Sequence, residues 1–206
     1  MKDNIAVLIL AAGASSRMKV QKQLLPWGDT TLLGNTIATI EEAGYRSIYV
    51  VVGSDAKNVA QEAIKNNTQI VLNPNWEQGI SSSIAAGISE IKGLHYEGVL
   101  IVLADQPFLL STDLFRLKKT FLEVGDKIIA SKFIKMNKPS VPAIFRKTMF
   151  DQLLALKGDK GATQLFSKHK KSVVEISIQS EFLDIDTIEE YQKSLKIFSK
   201  NKYQKK

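Results

Sequence analysis

Short runs of aliphatic residues alternate with amphipathic stretches along almost the whole chain. The runs predict strands, because short continuous segments rich in Val and Ile are typical of strands buried on both faces. Between the first two runs, the apolar residues Leu33, Ile37 and Ile40 repeat at intervals of four and three, and Gly44 follows as a helix stop. The predicted strands are Ile5–Leu10, Ser47–Val52, Gln69–Leu72, Val99–Leu103, Ile128–Phe133, Ala143–Phe145 and Val173–Ile178.

Helical patterns occupy most of the segments between these runs. Alternation of strand and helix predicts one α/β domain with a mostly parallel sheet and helices on both faces. The stretch Ile128–Phe145 breaks the alternation, because KMNKPSVP joins two strand-like runs without a helix, and this predicts a short antiparallel excursion. Ser54 or Asp55 can cap a helix that ends at Lys65, and Ser111 or Thr112 can cap one that ends at Val124. The other predicted helices are Ser82–Ile91, Thr148–Ala155, Ala162–Lys168 and Thr187–Lys200.

The loop after the first predicted strand, Ala11–Arg17, combines small residues with a cation, and Lys22 follows it. Ligands of open parallel sheets bind beyond the carboxyl ends of the strands, where this loop is expected to lie. Small residues let a polyphosphate approach backbone N–H groups, and Arg17 and Lys22 can add charge-assisted contacts. The loop is neither a Walker A motif nor a GxGxxG fingerprint, which argues against the commonest kinases and dehydrogenases. An ordinary strand-to-helix turn explains the small residues equally well.

Three aspartates are candidates for metal chemistry. Asp105 follows the fourth strand run, where a carboxylate can hold a divalent cation against phosphate oxygens or cap a turn before Pro107. Asp184 and Asp186 lie on the same side of their segment if it is extended, since alternate residues of a strand share a face. One of this pair is a candidate second metal ligand, and the other a candidate cap for the helix beginning at Thr187.

Two further loops carry polar groups. The segment Asn73–Ser83 offers backbone and hydroxyl groups at a helix N-terminus, suited to a base and ribose or to capping alone, and Gly158–Ala162 is a turn between helices. Neither His95 nor His169 has a spaced partner for a metal site or a triad, and the chain has no Cys. An attacking phosphate is mostly ionised at neutral pH and needs no general base. This inventory therefore favours phosphoryl or nucleotidyl transfer over acyl transfer.

The length and composition of the chain indicate how many domains it forms and where the protein is located. With 206 residues, the chain has room for one large domain, and its 44% hydrophobic and 24% charged residues are ordinary for a globular protein. No apolar run is long enough to span a membrane, and Asp3 and Arg17 argue against a signal peptide. The absence of Cys excludes disulfides and thiolate catalysis, and it fits a cytoplasmic location.

The net charge of +7 is concentrated at the C-terminus, where residues 193–206 hold six Lys and no acidic residue. Without this segment, 22 basic residues face 21 acidic ones. We therefore divide the chain into one domain, residues 1–192, and a Lys-rich C-terminal tail, residues 193–206. A basic terminus is more often a solvated helix end than a binding arm, so we expect no nucleic-acid partner and no membrane association.

Several motifs, in this order, resemble the molybdopterin nucleotidyltransferases, with the molybdenum cofactor cytidylyltransferase branch most similar. They are LAAGASSRM, KQLLPWG, NPNWEQGISSSIAAG, LADQPFL, VPAIF followed by LLALKGDKGA, and LDIDT, and they extend from Leu10 to Thr187. The resemblance implies a three-layer Rossmann-like nucleotidyltransferase fold. It also implies a reaction that joins CTP to the terminal phosphate of molybdopterin and releases pyrophosphate, without a covalent intermediate. The implied cofactor is Mg²⁺, with Mn²⁺ as an alternative.

The resemblance also implies roles for individual residues. Guanine-using relatives usually carry Gly at the position of Ala12, so this residue favours CTP. The implied catalytic residues are Arg17, Lys22 and Asp105, and the implied metal ligands are Asp105 with Asp186 or Asp184. The implied acceptor-binding residues are Gln106, Pro142, Asp159 and Gly161. The implied nucleotide-binding residues are Leu10, Ala11, Ala12, Gly13, Ser15, Ser16, Arg17, Lys22, Asn73, Gly79, Ser83, Ala104 and Asp105.

Two alternatives stand beside this interpretation. The first keeps the chemistry but changes the acceptor to a sugar or alcohol phosphate, and Ser140, where the family commonly has Gly, leaves the acceptor open. The second is a non-catalytic module that handles a nucleotide or cofactor. Lys22, Asp105 and a second aspartate argue against it, because binding alone needs no second carboxylate. A molybdoenzyme or its chaperone is a candidate partner. Lys19 also departs from the family pattern and adds a charge to the first loop.

Overall fold

The strands found in the computed structural model match the predicted runs closely. The structure describes residues 4–204 except Lys19, Lys135 and Phe182, so the extra charge predicted at Lys19 lies outside the described residues. The strands are β1 (Ile5–Leu10), β2 (Pro26–Trp27), β3 (Thr30–Thr31), β4 (Ser47–Val52), β5 (Gln69–Leu72), β6 (Gly98–Leu103), β7 (Ile128–Phe133), β8 (Ser140–Arg146) and β9 (Val173–Ile178).

The α-helices follow the predicted alternation, with small changes at their ends. The predicted helix Thr148–Ala155 is a 3-10 turn, Lys147–Met149, that continues into a short α-helix. The turn Gly158–Lys160 is also 3-10. The helices are α1 (Leu32–Glu42), α2 (Ala56–Ile64), α3 (Ile80–Ile91), α4 (Ser111–Glu123), α5 (Phe150–Leu154), α6 (Thr163–Lys168) and α7 (Ile188–Gln204).

Asp55 holds the predicted N-cap position of α2, but neither this predicted cap nor the one predicted for α4 makes a side-chain hydrogen bond to its helix. Asp55 precedes α2, but it has a left-handed backbone, with φ of 51°, and its carboxylate accepts hydrogen bonds from the Asn58 amide instead of from the helix backbone. Ser111 and Thr112 lie inside α4, and Leu110 holds the cap position without a side-chain hydrogen bond. Each element exists as predicted, but its first turn is stabilised differently.

The central sheet confirms the mostly parallel α/β fold. Its strand order is β5-β4-β1-β6-β8-β7-β9. Strand β8 runs antiparallel to both of its neighbours, and the other pairs are parallel, so the predicted antiparallel excursion is confirmed. After β1, the chain places β4 and β5 on one side of this strand, and it then crosses to place β6 on the other side. Ligand sites of open α/β sheets form at such a switch point.

Helices cover both faces of this sheet. Alternate residues of β1 point to opposite sides, so Ile5, Val7 and Ile9 pack in a core with residues of α1, α2 and α4. Ala6 and Leu8 pack on the other side with residues of α3, α5 and α6. The continuous apolar sequence of β1 therefore serves two cores at once.

A third, smaller cluster holds the β2–β3 hairpin, which the sequence did not predict because each strand has two residues. Trp27 is 1% exposed and packs with ring centroids 5.4 Å from Phe108 and 4.8 Å from Phe198. The Tyr191 hydroxyl donates to the carbonyl of Pro26 at 2.6 Å. Phe198 belongs to the Lys-rich segment, and helix α7 therefore joins part of this segment to the domain.

None of the helices in the described part of the chain has the length and apolar character needed to cross a membrane.

Candidate active site

The small-residue loop after β1 is held by a buried glutamine. Gln23 is 3% exposed, and its Nε2 donates to the carbonyls of Ala11 at 3.0 Å and Gly13 at 3.2 Å. The backbone of the loop is also tied to β4 and the turn after it, through Ala11 N to Val51 O at 2.9 Å and Ser54 N to Ala12 O at 3.0 Å. These bonds hold the loop in place without using the N–H groups of Gly13, Ala14 and Ser16.

Ser15 sets the position of Lys22. Its backbone is left-handed, with φ of 50°, and its Oγ accepts a hydrogen bond from the Lys22 backbone N–H at 3.1 Å. Among the described residues, the backbone N–H groups of Gly13, Ala14 and Ser16 donate to no protein acceptor. Free N–H groups in a small-residue loop are donors that an anion can use, which is compatible with the phosphate-binding role predicted from the sequence.

Lys22 joins two carboxylates that lie far apart in the chain. Its Nζ is 2.5 Å from Asp105 Oδ2 and 2.9 Å from Asp186 Oδ1. Arg17 contacts the other oxygen of Asp186 at 3.0 Å, but its side chain is 71% exposed. The structure therefore brings together Arg17, Lys22, Asp105 and Asp186 at the carboxyl edge of the sheet.

The pKa values of this cluster follow from its ion pairs. Burial alone lowers the pKa of Lys22, but the carboxylates of Asp105 and Asp186 outweigh it, so the pKa lies above its ordinary value. The hydrogen bond from Lys22 lowers the pKa of Asp186, and the charges of Lys22 and Arg17 add to this shift. Both groups are therefore charged at neutral pH, as contacts with phosphate or a divalent cation require.

Asp184 has a different environment from Asp186. The Gln106 amide donates from Nε2 to Asp184 Oδ1 at 2.9 Å. Burial, together with the charge of Asp105, raises the pKa of Asp184 to about 6. The helix cap comes from neither aspartate: Thr187 Oγ1 accepts from Glu190 N, and the Glu190 carboxylate accepts from the backbone N–H groups of Asp186 and Thr187. This capping box leaves both aspartate side chains available to the site, and the predicted Asp cap is wrong.

A cavity of about 400 Å³ opens beside the ion cluster. Trp76, Glu77 and Ile80 from the predicted segment Asn73–Ser83 also line it, and so does Gln23, which the sequence did not single out as a site residue. Gln23 lies within KQLLPWG, but no spacing rule marks a lone glutamine, so only the fold reveals its role. The predicted nucleotide-binding residues that line the cavity are Leu10, Ala12, Gly13, Ser16, Lys22, Gly79, Ser83, Ala104 and Asp105.

The other predicted nucleotide-binding residues support the cavity from outside it. Ala11 is buried under the loop, and Ser15 and Arg17 act on Lys22 and Asp186 as described. The buried Asn73 donates from Nδ2 to the hydroxyls of Ser82 at 2.9 Å and Ser83 at 3.0 Å. Asn73 therefore positions the first turn of α3, which borders the cavity.

A second cavity, of about 140 Å³, adjoins the first. Among the predicted acceptor-binding residues, Gln106, Asp159 and Gly161 line it, together with Asp184. Pro142 is buried in β8, where its carbonyl accepts the Ser131 hydroxyl at 2.7 Å. The two cavities share four lining residues: Leu10, Ile80, Leu103 and Asp159.

The carboxylates fit a divalent cation that substrate oxygens help to coordinate. Among the described residues, no group of three or more His, Cys, Asp or Glu side chains is arranged to hold a metal ion by itself. Asp105 Oδ1, however, is buried and has no hydrogen-bond partner within the described part of the chain. Magnesium commonly binds to one or two carboxylates and completes its shell with phosphates and water. Asp105 and Asp186 provide such a donor set.

We expect Gln23→Leu to lower the free energy of unfolding by about 2 kcal/mol, because the buried carbonyl of Ala11 loses its donor. Chemical denaturation measures this difference. The matched control is Gln164→Leu, since Gln164 also donates to two backbone carbonyls but at a more exposed turn, and we expect a change within about 0.5 kcal/mol. Equal losses in the two variants would show that Gln23 has no special role in holding the loop.

Three curated proteins show similar, moderate identity over most of the chain. The nicotine blue oxidoreductase of Paenarthrobacter nicotinovorans is 28% identical over 193 residues, which cover 89% of this chain and 92% of that protein. The purine catabolism protein PucB of Bacillus subtilis (strain 168) is 29% identical over 199 residues, with coverage of 89% and 92%. The molybdenum cofactor cytidylyltransferase of Escherichia coli (strain K12) is 27% identical over 187 residues, with coverage of 91% and 93%.

Solved structures agree with this relationship. Rv0371c from Mycobacterium tuberculosis H37Rv superposes with a TM-score of 0.83 at 27% identity, over 95% of this chain and all of that one. Its complex with manganese gives a TM-score of 0.79 at 27% identity, over 94% of this chain and 98% of that one.

The family model described as the MobA-like NTP transferase domain matches residues 7–173. The chain therefore belongs to the MobA-like NTP transferase family, which makes it an enzyme of the general nucleotidyltransferase type.

Proposed function

We propose that this nucleotidyltransferase is a divalent-metal-dependent cytidylyltransferase that uses CTP and molybdopterin. The observation that carries the proposal is the convergence of Asp105 and Asp186 on Lys22, beside a cavity bordered by a small-residue loop. A second cavity adjoins the first, so a nucleotide and an acceptor have neighbouring places. Membership in the family supports nucleotidyl transfer as the type of chemistry, whereas the use of CTP and molybdopterin as substrates is our proposal.

The proposed reaction is a direct displacement at the α-phosphorus of CTP. An oxygen of the terminal phosphate of molybdopterin forms the new P–O bond, and the bond from the α-phosphorus to the β-phosphate oxygen breaks. Pyrophosphate leaves with the electron pair of that bond. The attacking phosphate is already ionised, so no side chain has to remove a proton. This fits a cavity lining that contains neither His nor Cys within the described residues.

The chain's own residues then supply position and charge. The free N–H groups of the loop orient the phosphates, and Lys22 and Arg17 neutralise the charge that develops on the departing pyrophosphate. Asp105 and Asp186 hold the cation, which we propose to be Mg²⁺ or, alternatively, Mn²⁺. When bound, this ion acts as a Lewis acid on the phosphate oxygens. The manganese complex of the structurally similar Rv0371c supports such a site.

The choice of CTP rests on Ala12. Ala12 lines the larger cavity, at the position where the resemblance implies glycine in guanine-using relatives. The choice of molybdopterin rests on the ordered motifs from Leu10 to Thr187 and on the relative that is named a molybdenum cofactor cytidylyltransferase. The relatives named for other activities are slightly more identical to this chain, at 28% and 29% against 27%, so the acceptor needs a direct test.

Pyrophosphate release tests the proposal directly. The protein is incubated with Mg²⁺ and each of CTP, GTP, ATP and UTP, with and without molybdopterin. We expect turnover that requires both CTP and molybdopterin and stops when the metal is chelated. Turnover with a sugar 1-phosphate in place of molybdopterin would support the alternative acceptor. Binding of CTP without release of pyrophosphate from any acceptor would favour a non-catalytic module.

A further assay addresses the relative that is named an oxidoreductase. The chain has no GxGxxG fingerprint for a dinucleotide, so we expect no oxidation of NADH or NADPH by this protein. Oxidation of either dinucleotide at a rate similar to that of pyrophosphate release would overturn the assignment of nucleotidyl transfer as the main activity.

A further inference from the structure

The two acidic side chains of the proposed metal site come from distant strands. Asp105 follows β6, whereas Asp186 follows β9, and β8 and β7 lie between these two strands in the sheet. Because neighbouring strands are about 4.8 Å apart, the ends of β6 and β9 are separated by roughly 14 Å. Residues 179–187, which we call the crossing segment, therefore carry Asp186 back along the edge of the sheet. The described residues of this segment form neither helix nor strand.

A buried aspartate in α4 holds the start of the crossing segment. Asp113 is 3% exposed, and its Oδ2 accepts from the backbone N–H groups of Gln179 at 2.8 Å and Ser180 at 2.7 Å. The same oxygen accepts from the Ser180 hydroxyl at 2.8 Å. Ser180 Oγ in turn accepts from the backbone N–H of Leu110, the residue that precedes α4. Asp113 and Ser180 therefore join the crossing segment to the first turn of α4.

The first turn of α4 is also close to Asp105 along the chain. Residues 106–110 are all that separates Asp105 from this helix. Farther along the crossing segment, Ile185 is completely buried, and its backbone N–H donates to the Asp105 carbonyl at 3.3 Å. The crossing segment is therefore attached to the Asp105 side of the site at two points. Both points precede Asp186, so together they set the separation of the two carboxylates.

A carboxylate is well suited to hold this segment, and Arg116 balances its charge. A single carboxylate accepts several hydrogen bonds at once, and bonds to a charged acceptor are stronger than neutral ones. The Arg116 guanidinium donates to Asp113 Oδ1 at 3.3 Å and to the carbonyl of Ser177, in β9, at 2.9 Å. Asp113 lines neither of the two adjoining cavities, so its effect on the site passes through the segment that it holds.

We propose that Asp113 is a positioning residue of the metal site, which fixes the separation of the Asp105 and Asp186 carboxylates and thereby favours Mg²⁺ over Ca²⁺. Binding of Mg²⁺ requires nearly ideal octahedral geometry at about 2.0–2.1 Å, whereas Ca²⁺ accepts longer distances and irregular geometry. A fixed pair of carboxylates can therefore select the smaller ion, and a loosened pair loses this selection. The inference rests on the proposed function, since it concerns the metal of the same reaction.

Manganese binding to the full chain tests this role without any substrate. Electron paramagnetic resonance of free Mn²⁺ gives the affinity of the site, and displacement by Mg²⁺ and by Ca²⁺ gives the preference between these ions. In Asp113→Asn, we expect Mg²⁺ to bind about tenfold more weakly, whereas Ca²⁺ stays within about threefold of wild type. Ser180→Ala removes the hydroxyl but keeps the two backbone N–H donors, so we expect Mg²⁺ binding to weaken only about threefold.

Glu62→Gln is the matched control for a structural carboxylate. The Glu62 side chain is 12% exposed and accepts from Thr31 Oγ1 at 2.9 Å and Lys65 Nζ at 2.6 Å, neither of which belongs to the crossing segment. We expect this variant to melt at a lower temperature with an unchanged preference between Mg²⁺ and Ca²⁺. An unchanged preference in a folded Asp113→Asn, or no Mn²⁺ binding by wild type, would overturn the inference. If Asp113→Asn does not fold, the preference in Ser180→Ala decides the question.

The positioning role and the proposed function fail separately. A reduced preference for Mg²⁺ in Asp113→Asn supports the positioning role even if CTP and molybdopterin give no pyrophosphate release. Turnover of CTP and molybdopterin by wild type, together with an unchanged preference in Asp113→Asn, would leave the proposed function standing and remove the role of Asp113.

Discussion

Asp105→Asn is expected to lower kcat/KM for nucleotidyl transfer about a thousandfold while the protein stays folded. Asp105 holds Lys22 through Oδ2, and its Oδ1 is buried without a partner among the residues that the structure describes, which leaves that oxygen for a cation. The amide keeps the shape of the side chain but removes the negative charge, so the divalent ion loses a ligand. Pyrophosphate release measured across a range of Mg²⁺ concentrations is the readout, and circular dichroism confirms folding.

Asp151→Asn is the matched control for this substitution. Asp151 also pairs with a lysine, at 2.5 Å from Lys92 Nζ, but its side chain is 81% exposed and lies in α5. The same change of charge at this position should leave kcat/KM within about twofold of wild type. If Asp105→Asn retained wild-type turnover at every Mg²⁺ concentration, Asp105 would have no part in the mechanism.

The second large effect concerns Lys22→Met, which should affect catalysis and metal binding in opposite directions. Loss of the ammonium group is expected to lower kcat/KM about a hundredfold, because the developing charge on pyrophosphate loses a partner. The same loss leaves Asp105 and Asp186 without the cation between them. We therefore expect Mn²⁺ to bind about tenfold more tightly, as measured by electron paramagnetic resonance of the free ion.

Lys92→Met controls for the loss of one lysine, since its ion pair with Asp151 is exposed and should affect neither quantity. Weaker Mn²⁺ binding in Lys22→Met would contradict our interpretation of the cluster, because it would mean that Lys22 assists the ion instead of competing with it. Wild-type kinetics would make Lys22 a structural residue. If both expectations hold, Lys22 leaves the carboxylates and contacts phosphate when the nucleotide and the metal enter.

The ion cluster also shows the limit of what sequence motifs can assign. Asp184 and Asp186 are equivalent in the pattern LDIDT, and alternation in an extended segment puts them on one side. In the structure, Asp186 contacts Lys22 and Arg17, whereas Asp184 accepts from Gln106 beside the second cavity. The difference arises from neighbours that come from other parts of the chain, and no local rule contains those neighbours.

Helix α7 gives a second example of a contact that the sequence alone does not reveal. Composition marks residues 193–206 as a basic terminal segment, because Lys is frequent there and acids are absent. The apolar residues Leu195 and Phe198 within it pack on the cluster around Trp27. The hairpin that presents Trp27 has strands of two residues each, too short for any periodic pattern to reveal. The partner surface for this part of α7 is therefore visible only after folding.

The sequence by itself determined the order of the main strands and helices, the mostly parallel sheet with one antiparallel strand, and the loops that we propose for phosphate and metal chemistry. These properties depend on short-range patterns, since burial on two faces requires continuous apolar strands and a strand reversal requires a connection without a helix. The tertiary structure alone decided that Gln23 supports the loop, that Lys22 joins Asp105 to Asp186, and that the Gln106 amide donates to Asp184 beside a second cavity. Each of these contacts joins side chains from separate elements, and their partners are fixed only when the strands and helices pack together.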